Sequence, residues 1–264
     1  MEGRKVLKLT ARRPDLRFPL PLRFAQRVTG HTVLRLGRRA KFLLADLSSH
    51  ETLVMHLGMS GRFTVSGGSL GQFHHATGGN PTHDHVIFDM EGGLTITYND
   101  PRRFGFMELW PTEQLSVYPR LMDLGPEPLS NAFTNAWLDK VLAGRKTPIK
   151  SALLDQTNIA GLGNIYVCEA LYRARISPRR KASTIPGERA IRLAAAINQV
   201  IAEAIDAGGS SISDFARTNG ELGYFQHRFG VYDREGSPCR TCGDPIRRLV
   251  QAGRSTFYCG TCQR

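Results

Sequence analysis

Nowhere in its 264 residues does the chain carry an apolar run approaching the roughly eighteen residues that span a bilayer. Its basic start also lacks the apolar segment of a secretory signal. From these absences a cytoplasmic protein is expected. Cysteine is scarce: there are five, four of them between positions 239 and 262, so no disulfide framework runs through the chain. No internal repeat recurs, which excludes a solenoid. Acid is in short supply, with 23 Asp and Glu against 35 Lys and Arg and a formal charge of +12. The shortage is sharpest between Met1 and Lys41, where twelve basic residues meet only Glu2 and Asp15. Such a surface calls for a polyanionic partner such as nucleic acid. A ribosomal or membrane-surface role would share that sign, so charge gives the partner class and no more.

What is present begins at the C-terminal end. Cys239-Arg-Thr-Cys242 and Cys259-Gly-Thr-Cys262 are two CxxC pairs separated by sixteen residues. Each pair sets two thiolates on one knuckle, and the spacer folds back to complete a tetrahedron around one structural zinc. Ile246, Leu249 and Val250 lead into the polar turn 251–254, and Thr256, Phe257 and Tyr258 return as a strand, giving a zinc ribbon with a basic tip. Two disulfides would need a secreted protein. Cys168 lies in an apolar helical pattern and reads as a core residue.

The first 110 residues read as short strands at 6–9, 32–36, 42–47, 53–56, 86–88, 94–98 and 104–110, with Gly-Gly pairs at 67–68, 78–79 and 92–93. Strands so closely spaced argue for an antiparallel sandwich. The Gly/His stretch 66–80 reads as a mobile loop. After Pro111 the period becomes helical, over 131–143, 148–155, 164–174 and 186–207. In the last of these Pro186 suits a first helical position, Ile197, Val200, Ile201, Ala204 and Ile205 make one face, and Gly208-Gly209 ends it. The fold class is therefore α+β multidomain, with a sandwich over 1–112, a helical domain over 113–227 and the ribbon over 228–264.

Two stretches carry further chemistry. In Asn158-Ile-Ala-Gly161-Leu-Gly163-Asn164, glycines allow close backbone approach, and Asn164 can cap the next helix while leaving N–H groups free for an anion. Lys146 and Lys150 precede it and could hold a phosphate, although a plain helix–helix turn would look the same. In the sandwich, Met59 sits between Gly58 and Gly61, while Arg102 and Phe104 sit on the turn Asp100-Pro-Arg-Arg-Phe-Gly105. Met and Phe at exposed turns beside arginines suit wedges inserted into a base stack. As pattern alone, core residues at strand ends are the simpler account.

Taken in order, Arg38-Arg-Ala-Lys41-Phe-Leu-Leu44, His56-Leu-Gly-Met-Ser-Gly61, His83-Asp-His-Val86, Asp100-Pro-Arg-Arg-Phe-Gly105, Leu124-Gly-Pro-Glu-Pro-Leu129, Gly161-Leu-Gly-Asn-Ile-Tyr166, Gly223-Tyr-Phe225 and the ribbon carry a resemblance over essentially the whole chain. The sequence resembles the bacterial formamidopyrimidine-DNA glycosylases of the helix-two-turns-helix class. That resemblance overturns the core reading of Met59 and Phe104. It implies a β-sandwich, a helix-two-turns-helix domain and a zinc ribbon, with double-stranded DNA held in the cleft between domains. It implies base excision repair of oxidised purines such as 8-oxoguanine and formamidopyrimidines, followed by nicking of the abasic site through β,δ-elimination. By the resemblance, Met59, Arg102 and Phe104 match the residues that fill the gap left by the flipped nucleotide, and His83, Arg102, Lys146 and Asn164 match DNA contacts. Lys41 matches a lysine of the lyase step, and Arg254 matches the arginine of phosphate binding and the second elimination. The segment 213–232 resembles the loop that closes over an everted oxidised purine. A monomer associated with the bacterial nucleoid is expected.

The departure lies at the start. The family opens on a proline and a glutamate carried by a long helix. The proline's secondary amine attacks C1′ of the damaged nucleotide to form an imine, and the glutamate assists sugar opening. Met1-Glu-Gly-Arg-Lys5 matches only after that helix, at the first strand, so Glu2 is not the family glutamate. The expectation is that the start lies inside a longer gene product that is an active glycosylase and lyase. Residues 1–264 alone are expected to bind abasic-site analogues without excising 8-oxoguanine. A non-catalytic lesion binder and a general zinc-ribbon nucleic-acid binder are the alternatives; the latter leaves Met59, Phe104 and His83 unused.

Overall fold

The structure, a computed structural model, describes residues 1–67, 79–209 and 223–264. They form two compact units, the first running to Met122 and the second beginning at Asp123.

Alternating apolar residues build the first unit as eight strands: β1 (Val6–Ala11), β2 (Val33–Arg39), β3 (Phe42–Leu47), β4 (Glu51–His56), β5 (Arg62–Ser66), β6 (Asp84–Met90), β7 (Leu94–Asn99) and β8 (Phe106–Pro111). They make two antiparallel sheets, ordered β1-β6-β7-β5 and β2-β3-β4-β8. In a strand every second side chain faces inward. Val6, Leu9, Val86, Phe88, Met90, Ile96 and Tyr98 from one sheet thus share a core with Val33, Ala45, Leu47, Leu53, Met55 and Met107 from the other. This is the sandwich expected from the sequence. Two elements escaped the pattern, β5 and the short helix α1 (Phe24–Val28), which buries Phe24 and Val28 in the same core. The loop expected over 66–80 lies mostly outside the described residues.

The second unit holds α2 (Asn135–Leu142), α3 (Ile149–Leu154), α4 (Asn164–Arg173) and α5 (Glu188–Asp206), then the hairpin β9 (Ile246–Gln251) and β10 (Arg254–Cys259). Leu138, Leu142, Ile149, Leu153, Leu171, Leu193, Ile197 and Val200 belong to one core. Pro186 is not the first helical residue: Gly187, at φ 88°, takes the cap position and α5 starts at Glu188. Ile205 is not on the buried face but 64% exposed, while Ile197, Val200 and Ala204 are buried. Gly208 and Gly209 end the helix as expected, both at positive φ, and their N–H groups donate to Ile205 O and Ala204 O. The hairpin turns on Ala252 and Gly253, φ 47° and 72°, the left-handed pair that two-residue turns require. No helix among the described residues is long and apolar enough to cross a membrane.

Candidate metal centre and nucleic-acid interface

The four ribbon thiols meet at one point. Their sulfurs all lie within 4.8 Å of one another, Cys239 to Cys262 at 3.9 Å and Cys242 to Cys259 at 3.5 Å. A tetrahedral zinc with bonds of about 2.3 Å places its sulfurs roughly 3.8 Å apart, whereas a disulfide needs about 2.05 Å. The donor set therefore fits one structural zinc and not two disulfides. Backbone N–H groups of Thr241 and Cys262 point at Cys239 Sγ and Cys259 Sγ, at 3.4 and 3.3 Å, as thiolate ligands require.

Helix α4 is the support on which the ribbon rests. Cys168 on α4 is buried with Val231, Cys239, Ile246 and Phe257, and burial pushes its thiol pKa up, so it is a core residue. The buried Glu169 carboxylate accepts N–H bonds from Gly230, Val231 and Tyr232 at 2.8 to 3.0 Å. At the helix start the structure departs from the sequence reading: Gly163, not Asn164, holds the cap position, and no side chain caps it. Asn164 instead donates from Nδ2 to Ser255 O at 3.0 Å, next to Arg254 on the ribbon, while its Oδ1 is buried without a partner. Lys150 is likewise not an open phosphate ligand. It is 0% exposed, and its ammonium donates to Ser255 O at 2.9 Å and Thr256 Oγ1 at 2.7 Å. Burial lowers its pKa, and nearby Arg254 lowers it further. Asn164 and Lys150 thus meet on the same carbonyl, which fixes the strand that starts with exposed Arg254. Lys146 is exposed just ahead of α3.

In the first unit, two turns are locked against each other. A Cβ on Gly58 (φ 68°) would lie 2.5 Å from the Phe104 carbonyl carbon, so only glycine permits that approach. Asp100, fully buried, joins the turns: its Oδ1 accepts from Ser60 Oγ at 2.6 Å, and its Oδ2 accepts from Tyr98 Oη at 3.0 Å and Gly105 N at 2.9 Å. Burial and that bond raise the Tyr98 pKa. Two apolar side chains are left outside the knot, Met59 at 71% exposure and Phe104 at 41%, with the Arg102 guanidinium 4.5 Å from the Phe104 ring centre. His83 joins them through the backbone, its carbonyl accepting the Asp100 N–H at 3.0 Å.

Comparison with known proteins agrees with these parts. Residues 1–107 match the formamidopyrimidine-DNA glycosylase N-terminal domain, 124–216 the H2TH domain of the same glycosylases, and 236–264 the zinc finger found in FPG and IleRS. The formamidopyrimidine-DNA glycosylase of Rhodopseudomonas palustris strain TIE-1 is 56% identical over 274 residues, covering all of this chain and 94% of that protein. The chain belongs to the formamidopyrimidine-DNA glycosylase family. The Ruegeria pomeroyi glycosylase is 57% identical over 266 residues, with the same coverage. The MutM (Fpg) crystal structure from Thermus thermophilus superposes with a TM-score of 0.86 at 40% identity, covering all of this chain and 92% of that one. Lactococcus lactis Fpg in complex with abasic-site DNA gives 0.87 at 30% identity, covering all of this chain and 94% of that one.

Within this glycosylase fold, Lys41 is exposed on the turn between β2 and β3, after Ala40 at φ 52°. Its charge acts on His56, whose pKa is lowered by burial first and then by Lys41, Arg17 and Arg120. His56 Nδ1 accepts the Gly58 N–H at 3.0 Å, and its ring stacks on Phe106 at 5.4 Å. Arg120 lies 4.6 Å from the rings of both Phe18 and Phe106, so the ground beside Lys41 is cationic and aromatic. Sequence reasoning missed the structural roles of Asp100 and Lys150. The one available signal was that an acid or a lysine stood among residues that the fold buries.

Proposed function

We propose that the chain is a base excision repair glycosylase and abasic-site lyase acting on oxidised purines in duplex DNA, within the cytoplasm and at the nucleoid. The observation that carries this reading is the pair of locked turns. Met59 and Phe104 project from a rigid base, so the free energy of inserting them into a base stack is not lost in ordering the turns. Arg102, beside Phe104, is a cation placed to meet the strand that the wedge opens. The second unit supplies the phosphate-binding share: Lys146, Asn164 at the open start of α4, and Arg254 on the zinc ribbon. His83 adds a contact in the first unit, and Lys41 is assigned to the lyase step, in which an amine assists elimination at the opened sugar. Three functional parts follow, the sandwich over 1–112, the helix-two-turns-helix part over 113–227 and the ribbon over 228–264, acting as a monomer.

Binding and chemistry are tested separately, because wedge and phosphate contacts act in recognition whereas imine formation is a covalent step. The polypeptide 1–264 is expected to bind a duplex with a tetrahydrofuran abasic analogue more tightly than the intact duplex, as read by fluorescence anisotropy. Equal affinity for both would overturn the lesion-binding reading. A version with the family's proline–glutamate helix ahead of Met1 is expected to release 8-oxoguanine and to be trapped on DNA by borohydride. Tight abasic binding without release in that version would leave a binder and not an enzyme.

A further inference from the structure

Tyr172 occupies the last turn of α4, three residues on from Glu169 and therefore on the same helix face. Its ring lies directly beneath Gly230, where a Cβ would come within 2.6 Å of a ring carbon. From that seat the hydroxyl reaches the first zinc knuckle, 3.4 Å from Cys239 Sγ and 2.9 Å from Thr241 Oγ1. The proton inventory orients this chain of contacts. A zinc-bound thiolate only accepts, and a phenol has one proton, so the phenol donates to sulfur and accepts from the Thr241 hydroxyl. The N–H contacts on the sulfurs come from within the knuckles, but this donor comes from the helical body. It completes a series along one helix: Asn164 holds the ribbon at Ser255, Glu169 holds 230–232, and Tyr172 meets the metal site.

We propose that Tyr172 is a positioning residue for the zinc, its hydroxyl donating to the Cys239 thiolate and tying the first knuckle to α4. A hydrogen bond to a metal thiolate stabilises its lone pairs, which orients the ligand and slows its dissociation. The need for such a tie is visible in the surroundings. Cys262 and Tyr172, with Arg173, Glu203 and Thr241, line an open cavity of about 460 Å³, so a competing chelator has access to the knuckles.

The test uses the full chain loaded with zinc or, for spectroscopy, with cobalt(II). Tyr172→Phe removes one oxygen and keeps the ring under Gly230. It is expected to release zinc to a chromophoric chelator about tenfold faster than the parent, the lower end of outer-ligand effects. Its thiolate-to-cobalt charge-transfer band should move to lower energy, because the sulfur lone pairs lose a donor. Thr241→Val, which leaves the ring untouched, is expected to move the band the same way by less, and it carries the test if Tyr172→Phe does not load metal. An unchanged band and release rate in Tyr172→Phe, with Tyr172→Leu alone defective, would assign the residue to ring packing and overturn the proposal. Absence of thiolate-to-cobalt bands in the parent would instead overturn the zinc site on which the proposal rests.

Discussion

Removing the Asp100 carboxylate separates the base of the wedge from the wedge itself. Three donors converge on it, the hydroxyls of Ser60 and Tyr98 and the N–H of Gly105, and the carboxylate is fully buried. Each donor left without an acceptor costs about 1–3 kcal/mol, offset by no longer burying a charge, so Asp100→Ala is expected to destabilise the first unit by about 3–5 kcal/mol. Asp100→Asn keeps one acceptor oxygen for Tyr98 and Gly105, and the Ser60 hydroxyl can turn to accept from the amide. Its expected cost is about 1–2 kcal/mol. The two tryptophans allow this to be read unit by unit, since Trp110 lies in the first and Trp137 in the second. In a Trp137→Phe background, urea unfolding followed by Trp110 fluorescence should shift strongly for Asp100→Ala. In a Trp110→Phe background, the Trp137 transition should hold its midpoint. Neither variant alters Met59, Phe104 or Arg102, yet Asp100→Asn is expected to reduce preference for abasic over intact duplex, because the anchor shared by the two turns loses its charge and is weaker. An Asp100→Ala protein with an unchanged Trp110 transition, or an Asp100→Asn protein with undiminished preference, would refute the reasoning.

Lys146→Ala is expected to weaken abasic and intact duplex alike and to reduce the slope of log affinity against log salt by about 0.9, the loss of one phosphate contact; Met59→Ala should leave the slope alone and cut the lesion preference. Metal analysis should find one zinc per chain, and stripping it should unfold the hairpin and abolish duplex binding, because in so small a module metal-binding free energy is folding free energy. His56 adds a pH dependence. Its folded pKa lies below the ordinary 6.5, so its contribution to stability is present above that value and is lost as pH falls through the folded one. His56→Gln should therefore flatten the loss of thermal stability seen in calorimetry on going from about pH 7.5 to 5.5.

Local chemistry was legible in the sequence wherever period and spacing decide it. Alternation located β1 and β2, the CxxC pairs located the zinc site, and Gly208-Gly209 located the end of α5. Strand β5 was hidden because Arg62–Ser66 offers only five residues before a glycine-rich stretch. Helix α1 has five residues and no capping side chain; its cap position is Arg23 at φ 53°, a conformation that no start signal announces. Asn164 looked like a cap because asparagine usually caps through its own side chain. A carbonyl on the ribbon took that side chain instead, and sequence spacing holds no record of the competition.

What stayed hidden has a common physical form. Asp100 reaches Ser60 across 40 residues, Glu169 reaches Gly230 across 61, and Lys150 reaches Thr256 across 106. Each is a buried charge, and burying one costs several kcal/mol unless its bonds are complete. An apolar side chain in the same place could fill the volume, but it would accept many positions of the neighbouring turn, whereas a carboxylate with three donors or an ammonium on a carbonyl accepts essentially one. What these charges position is in each case the part that faces outward: the Met59 and Phe104 turns for Asp100, the strand beginning at Arg254 for Lys150, and the approach to the zinc knuckle for Glu169. The exposed residues carry motifs that a sequence displays, while the accuracy of their placement rests on pairs formed only once the chain has folded.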